Sequence, residues 1–298
     1  MSEHTGDAVM LVTGANGQIG REVCRQLQAA QTQFLATDLD PGSGKTFLRC
    51  DLRNKNDIAS LFAACRLQAV IHLAAILPTA FRNNPFLGAE VNLTGSLELL
   101  RQSVNAGVCR FVFASSRSVY GIHSAARPLT EDDPTTPEDP YGSAKCVVES
   151  IGEVLNAEKT IEFVSLRIAT LVGPGIQKSS SVWRSQIFET TGEQDTIKIP
   201  FAPDALLPLV YVDDVARALI LLAQTSPLQA PIYNTPVEIW KADRLKKAVE
   251  DLRRTKVELV QEGKDAGPLC DGSRFAREFA FQTPTISERL SSFLHKVP

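Results

Sequence analysis

Through the first two-thirds of the chain, short apolar runs alternate with stretches in which apolar residues recur every three or four positions. The runs at residues 8–14, 33–38, 45–51, 69–75 and 109–116 are short and rich in Val, Leu, Ile and Phe, which predicts strands. Between several of them, residues 18–30, 56–65 and 85–107 carry the helical spacing. Strands that alternate with helices in this way predict an α/β fold, a Rossmann-type doubly wound parallel sheet.

A polar, proline-bearing stretch at 127–140 precedes a predicted helix over 141–159 and a strand over 161–168. After Gly173, Pro174 and Gly175 the rhythm breaks into short pieces, which predicts a smaller carboxyl-terminal substrate-binding region. Residues 208–224 read as a strand followed by a helix returning to the main sheet, with Asp213 or Asp214 placed to cap the helix. The expected division is therefore a cofactor domain of residues 1–168, rejoined by 208–233, and a substrate region of residues 169–207 and 234–298.

Composition narrows the setting. With 298 residues, 44% hydrophobic and 22% charged, the chain has ample material for a globular core. A net charge of −3 and no basic stripe argue against a nucleic-acid partner. The six cysteines are scattered without a Cys-x-x-Cys pair, which predicts free thiols in a reduced cytoplasm and no metal site. No segment is long and apolar enough to span a membrane, and the first residues lack the basic and apolar regions of a signal peptide.

Where the first strand gives way to the first helix, glycines stand at positions 14, 17 and 20. Such a triplet permits a tight turn, close approach of backbone to a pyrophosphate and close helix–strand packing, while the helix start offers free N–H groups to phosphates. Asp38 ends the second strand, where a carboxylate can accept the ribose hydroxyls and repel a 2′-phosphate, so NAD is expected rather than NADP. Residues 41–46 imitate an ATP-binding loop. Leu39 stands where that pattern needs glycine, and a strand is expected next instead of a helix.

Tyr141 and Lys145 lie four apart on a predicted helix and so share a face. A nearby ammonium favours a phenolate, which gives Tyr141 the chemistry of a base toward a secondary alcohol. Ser116, just past a strand end, can hold the reacting oxygen. His72 lies inside an apolar run, and a hydrogen-bonded structural role is expected for it.

These pieces, together with residues 50–52, 72–75, 91–96, 115–121, 166–175 and 211–218, resemble the extended short-chain dehydrogenase/reductase family, the NAD-dependent epimerase/dehydratase group. The resemblance covers about three-quarters of the chain. It implies that Ser116 and Tyr141 are catalytic with Lys145 assisting. It implies a cofactor site of Gly14, Asn16, Gly17, Gln18, Ile19, Gly20, Asp38, Asp51, Leu52, Leu73, Ala74, Ala75, Asn92, Ala114, Tyr141, Lys145 and Ile168, with Asp51 and Leu52 at the adenine. It further implies a homodimer formed through helices near 85–105 and 141–159.

Departures from the family pattern bear on substrate. The acidic pair that eliminates water in sugar-nucleotide dehydratases is replaced by Arg117 and Ser118, and an arginine cannot serve as acid or base near neutrality. Thr170 stands where nucleotide-sugar enzymes often carry Asn, and Leu207, Pro208 and Leu209 where they often carry an Arg-Asp pair. Leu77, Arg117, Thr170 and Arg184 are the expected substrate residues. Three functions remain: a dehydrogenase acting on a small polar sugar-like or hydroxy-acid substrate, a UDP-sugar 4-epimerase that keeps its NAD, and a non-catalytic NAD sensor.

Overall fold

The computed structural model describes residues 9–42, 46–121, 127–176, 181–189, 196–260 and 266–292. Along the chain come β1 (Val9–Thr13), α1 (Gln18–Ala29), β2 (Phe34–Asp38), β3 (Phe47–Arg49), α2 (Lys55–Ala64) and β4 (Leu67–His72). Then follow α3 (Pro78–Asn83), α4 (Pro85–Ala89), a π-helical segment (Glu90–Gly95), α5 (Ser96–Asn105) and β5 (Arg110–Ser116). A 3₁₀ turn (Arg117–Tyr120), α6 (Pro140–Ala157) and β6 (Glu162–Ile168) come next. The remainder holds β7 (Thr170–Val172), α7 (Trp183–Glu189), β8 (Thr196–Ile199), β9 (Leu206–Tyr211), α8 (Val212–Gln224) and β10 (Ile232–Asn234). It ends with β11 (Glu238–Lys241), α9 (Ala242–Arg253), β12 (Lys256–Leu259), α10 (Ser273–Glu278) and α11 (Ile286–Ser292).

The main sheet has seven strands in the order β10-β6-β5-β4-β1-β2-β3. β1 runs parallel to both β2 and β4, β2 to β3, and β4 to β5. The order reverses beside β1, and the carboxyl ends of strands at such a switch point are where doubly wound sheets bind ligands. The strands carry near-continuous apolar runs because both faces are covered. Leu11, Val70, Phe111 and Phe163 are all fully buried in one core cluster. Local signals place the helices: α1 turns Val23 and Leu27 inward, and Asp139 caps α6 by accepting from the Gly142 amide at 2.8 Å, ahead of Pro140 in the first turn.

Two compact units divide the chain. One comprises Met1–Gly121, Pro134–Arg167 and Ala216–Tyr233; the other comprises Ile122–Asp133, Ile168–Val215 and Asn234–Pro298. In the second unit β11, β9 and β7 form a three-stranded sheet, and β12 pairs with β8 in parallel.

Three expectations are corrected. β9 does not return to the main sheet; it lies between β11 and β7, and β10 is the strand that joins β6. A continuous apolar run reports burial but not which neighbour provides it. Asp213 and Asp214 sit in the first turn of α8 rather than ahead of it, where their charge still meets the helix dipole favourably. The single helix expected over 85–107 is two α-helices around a π-helical segment, and α3 precedes them. In that segment Asn92 turns inward: its amide accepts from the Ile76 N–H at 2.7 Å and donates to the Ile76 carbonyl at 2.8 Å. The strand expected after the imitation ATP loop is present as β3, while residues 43–45 of that loop lie outside the described residues.

Candidate active site

The turn after β1 is built for close approach. Gly14 adopts φ +67°, and a Cβ there would stand 2.7 Å from the Ala74 amide nitrogen. A Cβ on Gly20 would collide with the Gly14 carbonyl. Side chains at either position would close the gap between the turn, the end of β4 and the start of α1. The N-cap of α1 is Gly17, which has no side chain to cap the first N–H groups of the helix. Ala15 and Asn16 complete the turn, and Gln18 and Ile19 open α1.

Asp38 ends β2 beside that turn. One carboxylate oxygen accepts from the Asn16 amide at 2.9 Å and the other from the Leu39 amide at 2.7 Å. Two backbone donors thus fix the carboxylate's direction and leave each oxygen a second lone pair for a ribose hydroxyl. Asp51 pairs with Arg53 at 2.6 Å, which holds its carboxyl below the usual range, and Leu52 is buried next to it.

A hydrogen-bond chain joins the two strand ends. The amides of Leu73 and Ala74 both donate to Thr13 Oγ1 at 3.2 Å, so the threonine proton is free to donate to His72 Nδ1 at 2.7 Å. His72 therefore carries its proton on Nε2 and donates to Ser96 Oγ at 2.9 Å. Burial, assisted by the Lys145 charge, pushes the imidazole down to about 3, so it stays neutral, stacked near Phe113 and edge-on to Phe111. His72 locks backbone into place here. Ala75 and Ile76 continue the segment that Asn92 braces.

β5 delivers Ala114, Ser115 and Ser116. Ser116 accepts from the Ser118 amide at 3.1 Å, donates to Ser118 Oγ at 3.2 Å, and stands beside the Tyr141 phenol, whose ionised form its hydroxyl favours. Ser115 Oγ is buried and has no partner among the described residues. Tyr141 is on the first turn of α6 and Lys145 one turn later, 8% and 3% exposed. Lys145 Nζ donates to the Ala114 carbonyl at 2.6 Å and lies 4.4 Å from the Phe113 ring centroid.

The electrostatics differ from the ammonium-beside-phenolate expectation. Burial and the Asp139 charge raise Tyr141 to about 12 against the Ser116 hydroxyl, while burial brings Lys145 down to about 7 in spite of Glu149. Desolvation is the largest cause for each because both groups sit away from water. Tyr141 accordingly holds its proton at neutral pH.

The expected substrate residues do not all share this unit. Leu77, at the start of α3, is 61% exposed, and Arg117 opens the turn after Ser116, half-buried. Ile168, Thr170 and Arg184 belong to the second unit: Ile168 closes β6, Thr170 opens β7, and Arg184 lies on α7. Residues 177–180, a few positions before Arg184, lie outside the described residues.

Sequence reasoning passed over Glu149 and Arg167, which form a buried ion pair at 2.8 Å behind Lys145. The signal was available: Arg167 is a cation inside an apolar strand, and Glu149 is an acid on the inward stripe of α6.

Residues 10–235 match the NAD dependent epimerase/dehydratase family. UDP-glucose 4-epimerase 2 of Oryza sativa subsp. japonica is 30% identical over 187 residues, which is 56% of this chain and 46% of that one. The chain spans about half the length of the curated relatives it matches. The fold matches the Thermus thermophilus UDP-glucose 4-epimerase complex with NAD at a TM-score of 0.81 and 24% identity, over 97% of this chain and 100% of that one. It also matches L-threonine 3-dehydrogenase from Trypanosoma brucei at a TM-score of 0.85 and 20% identity, over 97% and 96%. These structural likenesses are likenesses of fold; the family match carries the assignment. The chain belongs to the NAD dependent epimerase/dehydratase family, within the extended short-chain dehydrogenases/reductases.

Proposed function

We propose that the chain is an NAD-dependent oxidoreductase acting on a secondary alcohol or ketone of a small polar substrate, sugar-like or a hydroxy acid. The observation that carries this reading is the placement of Tyr141 and Lys145 one turn apart on α6, both buried, with Lys145 bonded to the Ala114 carbonyl of the strand that presents Ser116. In this reading Gly14, Asn16, Gly17, Gln18, Ile19 and Gly20 hold the pyrophosphate, Asp38 the ribose, and Asp51 and Leu52 the adenine. Leu73, Ala74, Ala75, Asn92, Ala114 and Ile168 flank the cofactor. The uncapped helix start, the space a Cβ on Gly14 would fill and the unpartnered Ser115 hydroxyl fit a phosphate-bearing dinucleotide. NAD, when bound, accepts hydride from the alcohol carbon or returns it to the carbonyl carbon.

The chain's own groups handle the proton. Tyr141, protonated at neutrality, gives its proton to a ketone oxygen and takes it back from the alcohol in reverse. Ser116 aligns that oxygen with the phenol. Lys145, titrating near neutrality, supplies a positive charge that favours the phenolate when Tyr141 has lost its proton. Closure of the two side chains from solvent keeps water from competing for the proton.

Cofactor binding is assigned to residues 1–168 and, with β9 in the other sheet, to 216–233 of the stretch expected to return, and substrate recognition to 169–207 and 234–298. Arg117, with Leu77, Thr170 and Arg184, is assigned to substrate, Arg117 as the partner of a carboxylate or phosphate. A homodimer is supported by Val147, Ile151 and Val154, which line one face of α6 and stay 41%, 38% and 56% exposed, and by Phe86 on α4, 84% exposed. A cytoplasmic setting is supported by six free cysteines. No helix among the described residues is long and apolar enough to cross a membrane.

A second reading, a UDP-sugar 4-epimerase with tightly held NAD, is favoured by the names of the curated relatives. The two separate on stoichiometry. Sugar acids, hydroxy acids, aldoses and UDP-sugars are screened with added NAD for NADH absorbance. Net NADH from a small alcohol is expected. Interconversion of UDP-glucose and UDP-galactose without any net NADH would establish the epimerase instead.

A further inference from the structure

Behind the acid–base group lies a second buried cluster. Glu149 follows Lys145 by one turn of α6 and is 2% exposed. Its Oε1 accepts from Ser165 Oγ at 2.8 Å, and its two oxygens accept from Arg167 Nε at 3.2 Å each, with Nη2 donating to Oε2 at 2.8 Å. Arg167, on β6 and 3% exposed, uses Nη1 to donate to the Tyr120 hydroxyl at 2.9 Å, and its guanidinium lies 4.9 Å from the Tyr120 ring centroid. Tyr120 is fully buried and ends the 3₁₀ turn that starts directly after Ser116. Further contacts press that turn onto α6 and the segment before it. Thr136 Oγ1 donates to the Tyr120 carbonyl at 2.9 Å, and Gly142 packs against the Ser118 carbonyl so closely that a Cβ would stand 2.5 Å away.

A buried ion pair is weak evidence for a stability role, since well-packed apolar residues often serve as well or better. What this pair does that apolar packing cannot is fix direction. A guanidinium's planar fork sets the angle between the helix that holds the carboxylate and the turn that holds the phenol. One end of the chain is α6, carrying Tyr141 and Lys145; the other is the turn that presents Ser116.

We propose that Glu149, Arg167 and Tyr120 are positioning residues that hold the Ser116 turn in register with the helix carrying Tyr141 and Lys145. The inference rests on the reading of Ser116 and Tyr141 as the proton-handling pair. Loosening the clamp moves the Ser116 hydroxyl away from the Tyr141 phenol without touching the cofactor turn after β1.

Tyr120→Phe tests it, because one buried hydroxyl is lost and ring packing is kept. The full chain, saturated with NAD and carrying tyrosine labelled with carbon-13 at Cζ, has four tyrosines, and the Tyr141 signal is assigned by its loss in Tyr141→Phe. Ser116→Ala supplies the position of that signal when the neighbouring hydroxyl is gone. In Tyr120→Phe the signal should move at least halfway to the Ser116→Ala position with NAD affinity unchanged. Turnover of whichever substrate the panel yields should drop roughly ten-fold, in kcat rather than KM. A Tyr141 signal at the parent position in Tyr120→Phe, where Ser116→Ala does shift it, overturns the clamp alone. A signal indifferent to Ser116→Ala sinks the proton-handling pair and the clamp with it. The double change Glu149→Met with Arg167→Met removes the ion pair with volume roughly kept and should repeat the shift; its failure to do so also overturns the clamp.

Discussion

Lys145 Nζ lies over the ring of Tyr141, 5.6 Å from its centroid, while its hydrogen bond goes to the Ala114 carbonyl. The amine is thus held beside the aromatic face rather than at the phenol oxygen. Its burial has a measurable cost. The folded chain binds the Lys145 proton with a pKa of about 7, against an ordinary value of 10.5. Between those values the unfolded chain holds more protons, so stability rises as pH climbs through that window, and the cost is complete below about 7. Lys145→Met should therefore gain stability, at most ~5 kcal/mol, at and below neutral pH, less what the lost hydrogen bond to the Ala114 carbonyl contributes. The gain should vanish as pH approaches 10.5. Urea midpoints of the two proteins across that range check it; a gain independent of pH would remove the buried charge as its cause.

Tyr141→Phe keeps the ring against Ala144 and Phe81 and removes the proton. Turnover should fall by a factor on the order of 10²–10⁴, the usual worth of a placed acid–base group. NAD affinity, measured by titration calorimetry, should stay within about five-fold, since a single neutral hydrogen bond contributes only about 1 kcal/mol. Retained turnover would show that another group carries the proton.

The glycine turn after β1 was legible in the sequence because its constraints are local. Gly14, Gly17 and Gly20 must sit at fixed spacing between a strand and a helix, and Asp38 must end the next strand. The four-residue step from Tyr141 to Lys145 was legible for the same reason. The partners of β9 were not, since a strand buried along its length shows the same apolar run in either sheet. Nor was the π-helical segment, where Asn92's bonds to Ile76 depend on residues sixteen positions away. The charge states of Tyr141 and Lys145 followed from burial, which a motif does not report. Glu149, Arg167 and Tyr120 come together only when α6, β6 and the turn after β5 do.

Asp38→Ala tests the choice of cofactor. The carboxylate is held by the Asn16 and Leu39 amides in a position to accept ribose hydroxyls. Charge-assisted hydrogen bonds of this kind contribute about 1.5–3 kcal/mol, so NAD affinity should drop roughly 10- to 100-fold. NADP affinity should stay level or improve, because the repulsion of a 2′-phosphate goes with the carboxylate. Equal losses for both dinucleotides would undo the assignment of NAD.

A glutamate at Val154 tests the homodimer. Val147, Ile151 and Val154 recur at helical spacing on α6, and a charge amid that stripe would have to be desolvated on association. Val154→Glu should shift sedimentation velocity toward the monomer with the circular dichroism of the parent. A parent that sediments as a monomer at all concentrations would refute the dimer outright.

The His72 bridge makes the fold acid-sensitive in a predictable direction. Its imidazole has an ordinary value of 6.5 and is driven to about 3 by burial and the Lys145 charge. Between the two the unfolded chain binds the extra proton, so the stability that the neutral ring provides is complete above 6.5 and drains away as pH falls toward 3. Protonation would also put a second donor at Nδ1, facing the Thr13 hydroxyl that now donates to it. Thr13 would then have to turn its proton away while still accepting from the Leu73 and Ala74 amides. His72→Phe should lose about 1–3 kcal/mol at neutral pH, because Thr13 and Ser96 lose their partner. Its stability should then fall less steeply with acid than the parent's, so that the two denaturation curves converge as pH drops. Parallel curves down to pH about 5 would mean that the ring is already protonated in the folded chain, and that the bridge from Thr13 to Ser96 has a different proton order.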